Sequence, residues 1–392
     1  MKKAVFAVVL FLMLLPAQAW AEQDVPEYEA ETQRSIEQGI GAVLDELDLS
    51  ALEELYEQTE LAEEQSFSGM IGELTKDGLS TVTVERVLEK ILSGLTDAFR
   101  RNLVYIAEIL VVLLVTGVLK ELPSEGKGAV QIAAWTGYIV SCGIAVTMLV
   151  GCFSDVKQAL DILFRIVEVL TPVLLVLLTG MGGLTGSSVM SPVMAALTGS
   201  VFEIVEQLLF PLMVAGAVFA MASCLSSTVR MDKLSELMSS VVKWGLGILF
   251  TVFIGISAMK GIAGASIDGI YFKTAKYTID RMVPVIGGMF SDTLDTIMAC
   301  SMLVKNSIGF LGLIILVSMM LSPILSLLST TLLFRAGAAV AQPFADERAV
   351  RLMERLGKTA ELAFIVVLTC MAMAFISIAL LMGAADVSFM MR

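Results

Sequence analysis

The residues most able to do chemistry here are ionisable side chains set inside long apolar stretches. Glu108 is one. Arg165 and Glu168 are three apart, as are Glu203 and Glu206, and Asp292 and Asp295; Lys260 stands alone. Three-residue spacing puts two side chains on one helical face. Arg165 and Glu168 are thus suited to pairing with each other. Glu203 and Glu206 repel unless one is protonated or a cation is near. A charge at the centre of a bilayer costs about 2.5–3.5 kcal/mol on insertion scales, so each such residue needs a reason. One reason is a polar path or a helix-helix lock. The other is a position near the interface, with snorkelling or quiet pairing in the bundle.

Other chemistry is missing from the chain. It has no histidine among 392 residues, which removes the commonest general base and metal ligand. Cys142, Cys152, Cys224, Cys300 and Cys370 all lie in or beside apolar runs, and their spacing fits neither a zinc site nor a disulfide framework. No nucleophile elbow, phosphate loop or dinucleotide fingerprint is present. Asp292 and Asp295 on one helix differ from the paired aspartates of an intramembrane protease, which sit on separate helices. The expectation is no enzyme activity, no metal and no cofactor. The 24 methionines read as adaptable packing.

The elements that must position these residues are apolar helices. Hydrophobic residues make up 57% of the chain and charged residues 17%, a balance that calls for a solvent other than water. Residues 1–21 read as a signal peptide, with Lys2 and Lys3, a short apolar core, and small-x-small cleavage sites at 17–19 and 19–21. Residues 22–101 form an acidic extracytoplasmic segment, with 20 acidic against 5 basic residues between Glu22 and Arg100. That balance argues against a nucleic-acid partner for the segment. It carries two amphipathic stripes, one through Ile40, Leu44, Leu47, Leu52, Leu55 and Tyr56, the other from Val84 to Phe99. The second, which runs straight into the first membrane stretch, lies along the membrane surface or binds a partner.

Residues 102–392 form the membrane domain. Apolar stretches fall at 103–119, 129–152, 162–183, 192–225, 241–262, 308–334 and 360–383, with an ambiguous one at 283–304. Starting Arg101 outside, seven crossings place the connection with Arg335, Arg348, Arg351, Arg355 and Lys358 outside; eight place it inside, as positive residues prefer. Eight crossings with both ends outside are expected, with a re-entrant hairpin at 283–304 as the other reading. Pro172 and Pro211 are 39 apart, as are Pro284 and Pro323, at an offset of 112. The units 129–240 and 241–352 would then be inverted repeats, as in transporters; chance matching in an apolar composition is the alternative. Gly182, Gly183, Gly287 and Gly288 permit close helix approach or unwinding.

Certain stretches carry a resemblance. They are Gly255-Ile256-Ser257-Ala258-Met259-Lys260-Gly261, Lys273-Thr274-Ala275-Lys276, Met282-Val283-Pro284-Val285-Ile286-Gly287-Gly288-Met289-Phe290-Ser291-Asp292, Ser301 to Gly309 and the closing Phe389-Met390-Met391-Arg392. Together they resemble the stage III sporulation protein AE family of endospore formers. The resemblance implies a multi-pass protein of the mother-cell membrane around the forespore. It also implies an oligomeric complex with the other proteins of the stage III sporulation operon and a forespore channel protein. It carries over no catalytic residue. Two functions compete: a scaffold subunit of that channel apparatus, and a solute-conducting subunit using the intramembrane carboxylates.

Overall fold

Among the described residues of the computed structural model, six helices are long and apolar enough to cross a membrane. Described are residues 40–41, 44, 47–63, 65–77, 84–121, 127–180, 199–225, 231–282 and 286–383; over 84–92 and 259–298 the description is of helical backbone alone. Among these residues the fold is all-helical. Two short helices come first, α1 (Ser50–Glu57) and α2 (Phe67–Asp77), with a 3-10 turn at Glu60–Glu63 between them. The long helices follow: α3 (Val84–Glu121), α4 (Lys127–Gly180), α5 (Phe210–Leu225), α6 (Asp232–Met282), α7 (Ile286–Ala341) and α8 (Glu347–Gly383).

Eight expected crossings become six spans because two pairs fuse. Stretches 129–152 and 162–183 lie on the single helix α4, and 283–304 and 308–334 meet on α7, which starts at Ile286. The polar links between them, Phe153 to Asp161 and Lys305 to Ser307, contain neither Gly nor Pro, so nothing stops the helix. In the first link Val156, Ala159 and Leu160 are buried while Ser154, Lys157, Gln158 and Asp161 are exposed. The link is one amphipathic stretch of a continuous rod. Its apolar span of 49 residues runs about 74 Å at 1.5 Å per residue, far beyond a hydrocarbon core of about 30 Å.

Proline contexts differ. Pro211 follows a π-turn at Val205–Leu209, in which the Phe210 amide reaches back to the Val205 carbonyl. The wider turn opens room where the proline ring would strike the carbonyl four residues earlier. Pro172 and Pro323 instead lie inside α4 and α7. Pro284 lies outside the described residues, as do Gly182, Gly183 and residues 1–21. The proposed repeat boundary at 240/241 falls inside α6, and the boundary at 101/102 inside α3.

α7 is the hub, packing on α3, α4 and α8, with α2 and α6 also against it; α5 and α6 pair and lean on α8. The contacts fix the register. Gly312 of α7 meets Leu170, Gly309 meets Met382, and Gly357 of α8 meets Phe334 and Arg335. α4 and α8 therefore run against α7, while α3 runs with it, from Asn102 beside Thr330 to Gly117 beside Phe344. One end of the bundle holds the 342–346 connection. The other holds α1 and α2, whose Leu52, Leu55, Tyr56, Phe67, Ile71 and Leu74 are buried in the common core. The Tyr56 hydroxyl donates to the Gln65 carbonyl at 3.0 Å and its ring meets Phe67 edge-on at 5.8 Å, which closes the hairpin. Just before it, Asp48 accepts from the Ser50 hydroxyl and amide, and these bonds hold its carboxyl below the usual range. The first amphipathic stripe is thus covered by the chain's own bundle.

Gly117 shows how close the helices come. A Cβ there would lie 2.2 Å from the Phe344 carbonyl oxygen, a backbone atom that cannot rotate away, whereas one at Gly143 meets nothing within 4 Å. Gly117→Ala is expected to cost about 1–3 kcal/mol and to lower the unfolding temperature in detergent. Gly143→Ala should leave it unchanged or raise it slightly. Thermal melts of the two variants side by side check this.

Candidate functional site

The polar groups expected to matter are scattered. Glu108 is exposed on α3. Arg165 does not pair with Glu168. Its guanidinium donates to Glu54 of α1 at 3.1 Å, because α1 docks across that face of α4, and Glu168 is left exposed. Glu203 accepts from Gln207 at 3.3 Å, one turn along its own helix. Glu206 sits in the π-turn, and both carboxylates are exposed. Lys260 lies on the α6 backbone; Asp292, Asp295, Gly287 and Gly288 lie on that of α7. Among the described residues no hydrogen bond or ion pair joins Glu108, Glu203 and Glu206.

What does converge is a belt, buried at Asn102, Ser326, Ser329 and Thr330, that the sequence reading passed over. Ser326 of α7 donates to Asp155 of α4 at 2.6 Å and accepts from Arg101 of α3 at 3.2 Å. One turn on, the buried Asn102 amide donates to Thr330 at 3.0 Å and Ser329 at 3.4 Å. The Thr330 hydroxyl returns to the Ser326 carbonyl at 2.9 Å. Three helices are tied at one level by charge-assisted bonds, which are stronger than neutral ones. The signal was present as Ser326-Leu327-Leu328-Ser329-Thr330-Thr331, a run of hydroxyls in an apolar helix.

Two further ties join other pairs of helices. Asp232 at the start of α6 accepts from Ser223 of α5 and from Arg355 of α8, the latter at 2.5 Å. Lys305 of α7, wholly buried, donates to the Met382 carbonyl near the end of α8, a helix end with carbonyls to spare. Arg335 of α7 pairs with Glu361 of α8, and Arg348 stacks over Trp135 at 5.3 Å. Beside the Arg165–Glu54 bridge lies a groove of about 310 Å³ lined by Leu55, Gln58, Ser154, Lys157, Asp161 and Met319. This arrangement holds helices in register. Among the described residues no group of three His, Cys, Asp or Glu converges on a metal position.

Ser326 is the shared member of the belt. Ser326→Ala removes the common partner of half-buried Asp155 and exposed Arg101, and a lost intramolecular hydrogen bond costs about 0.5–1.5 kcal/mol net. Thermal unfolding in detergent is expected to fall by that measure, with Ser322→Ala, an exposed serine one turn away, as a near-neutral control.

Comparison with known proteins agrees with the resemblance. The family model described as stage III sporulation protein AE matches residues 65–385. The stage III sporulation protein AE of Bacillus subtilis (strain 168) is 26% identical over 255 residues, which covers 65% of this chain and 64% of that protein, a little under two thirds of its length. No solved structure matches the chain. With most of its length matched by the family model, the chain belongs to the stage III sporulation protein AE family.

Proposed function

We propose that this chain is a membrane-platform subunit of a sporulation-specific transenvelope channel or secretion-like complex. It acts in the mother-cell membrane around the forespore during engulfment. Its partners are the other proteins of the stage III sporulation operon and a forespore channel protein. Family membership and six membrane-length helices support the setting. The observation that carries the scaffold role is the belt at Ser326: buried hydroxyls and the charges at their edge are spent on joining helices. Of the carboxylates proposed for conduction, Glu108 is exposed on α3 and Glu203 and Glu206 are exposed together on the segment before α5.

The exposed side chains support a placement in the bilayer. α3 exposes Leu103, Val104, Val111, Leu114, Val115 and Val118, and the first part of α4 exposes Ile132, Trp135, Ile139, Val140, Val146 and Val150. Both stretches lie between the belt and the 342–346 end. From Arg101 to Lys120, α3 spans about 28 Å, one hydrocarbon thickness. Beyond the belt α4 exposes Lys157, Gln158, Asp161, Arg165 and Glu168, a surface for water. The hairpin half of the bundle then projects from the membrane. Six spans also put the 342–346 connection and the basic Arg348 beside it at the end opposite α1 and α2. With the hairpin extracytoplasmic, they face the cytoplasm, as positive residues prefer.

Two experiments test this. Glu203→Gln with Glu206→Gln is expected to leave membrane accumulation and spore yield within about twofold of wild type. Normal accumulation with spore yield lost would favour conduction instead. A cysteine at Ala345, in a chain whose native cysteines are replaced, should resist a membrane-impermeant thiol reagent in intact protoplasts and react after lysis. Labelling before lysis would reverse the orientation.

A further inference from the structure

The groove of about 310 Å³ beside the Arg165–Glu54 bridge takes no part in tying helices together. Leu55 of α1 and Met319 of α7 give it an apolar lining, and Gln58 and Gln158 add hydrogen-bonding groups. Lys157 and Asp161 bring opposite charges. They lie four residues apart on one face of α4. Among the described residues neither is bonded to the other or to any third group. The charged groups around them are already engaged: Arg165 with Glu54, and Asp155 and Arg101 with Ser326.

Depth gives the groove its meaning. Ser326 puts Arg101 and Asp155 at one level, and Arg101 marks the hairpin-side edge of the hydrocarbon. Counted from Asp155 at 1.5 Å per residue, Lys157 stands about 3 Å further out and Asp161 about 9 Å. The headgroup layer on each side of a bilayer is about 5–8 Å thick. Both side chains lean toward the start of α4, hence toward the lipid. The cation therefore sits at the inner edge of the headgroup layer and the carboxylate at its outer edge. On the same face of α4, one and two turns before Ser154, Val150 and Val146 are exposed on the membrane side. An apolar track leads up to the two charges.

A ligand that fits has apolar chains toward the bilayer centre, then an anion, then a cation further out. We propose that the groove holds the headgroup of a phosphatidylethanolamine of the hairpin-side leaflet, with Lys157 donating to its phosphate and Asp161 accepting from its ammonium. One charge-assisted bond of each sign sets the choice of lipid. Phosphatidylglycerol has no cation for Asp161. The trimethylated nitrogen of phosphatidylcholine has no N–H to donate. The volume lies at the small end of ligand sites, which suits a headgroup whose chains stay in the bilayer. The inference rests on the bilayer placement proposed above.

The test is native mass spectrometry of the full-length chain in detergent with added dioleoyl phosphatidylethanolamine, phosphatidylcholine or phosphatidylglycerol. Phosphatidylethanolamine is expected to be retained roughly tenfold over the other two, the worth of one charge-assisted bond. Lys157→Gln should remove that excess and Lys157→Arg should keep it. Asp161→Lys should turn the preference toward phosphatidylglycerol, a gain that misfolding cannot imitate. Glu168→Gln, on α4 but outside the groove, should change nothing. Equal retention of the three lipids, or a preference that survives Lys157→Gln and Asp161→Lys, would overturn the proposal. Soluble glycerophosphoethanolamine binding as tightly as the lipid would assign the groove to a free solute and overturn the lipid source. The bilayer placement is read separately, in vesicles of phosphatidylethanolamine and phosphatidylglycerol, from nitroxides on cysteines replacing Gly151 and Glu168 in a chain without native cysteines. Oxygen should reach the first preferentially and a water-soluble nickel chelate the second. The same exposure at both positions defeats the placement and the headgroup site together; the expected contrast without a lipid preference defeats the headgroup site alone.

Discussion

In hydrocarbon an unpaired amide or charge has no water to bond with, and that constraint shapes this bundle more than any single contact. Helices satisfy their backbones within themselves, which is why only helices occupy the described spans. Polar side chains must then find one another. They do so where three rods meet, at Ser326, Asp155 and Arg101, and again at Asn102, Ser329 and Thr330. The neighbouring apolar packing, Val156, Leu163 and Ile166 from α4 against Ile315, Leu316 and Met320 of α7, fills space without fixing register. Dispersion is nearly as favourable with lipid as with another helix. The belt supplies the register that oily contacts alone leave loose.

The same constraint explains which polar groups can remain unsatisfied. Among the described residues, the buried oxygens without a partner are the hydroxyls of Ser257 and Ser377 and the amide oxygen of Asn306. They are neutral, so their cost is far below that of a bare charge. Lys305, wholly buried, lies at the end of α8, where free carbonyls concentrate the negative end of the helix dipole. Burial at that place is far less costly than burial in mid-helix.

How legible this was depended on which physical rule governed each residue. Hydropathy found every apolar stretch, because transfer to lipid is additive along the chain. It misjudged Ser154 to Asp161 and Lys305 to Ser307, because a short polar run is read as an exit from the membrane. Whether a helix ends there depends first on Gly and Pro, and neither is present in the two links. Arg165 was paired with Glu168 by spacing; Glu54 won because a docked α1 presents a carboxylate across the face, information no local window holds. Ser326 was missed for a related reason. A lone serine in an apolar helix is compatible with lipid, since its hydroxyl can bond back to a carbonyl of its own helix. Only the approach of Asp155, 171 positions away in sequence, gives it a role.

Continuity of the rods has a mechanical consequence. Had α4 and α7 been broken at their polar links, the hairpin half and the membrane half could shift independently. As unbroken helices they carry displacement from one end to the other, since interiors packed at crystal-like density deform little. Docking of α1 and α2 is fixed to the same two rods, through Arg165 on α4 and through Thr75, whose hydroxyl meets Ser307 of α7 at 2.9 Å. A load on the hairpin therefore reaches the belt at Ser326 along two helices at once. Rods that resist bending, tied at one level by directional bonds, suit a part that other proteins assemble against. A gate needs the opposite, a joint with two arrangements of similar energy. Among the described residues the joint-like features are the π-turn before Pro211 on α5 and the interior prolines Pro172 of α4 and Pro323 of α7, and the belt ties α4 and α7 together just beyond Pro323.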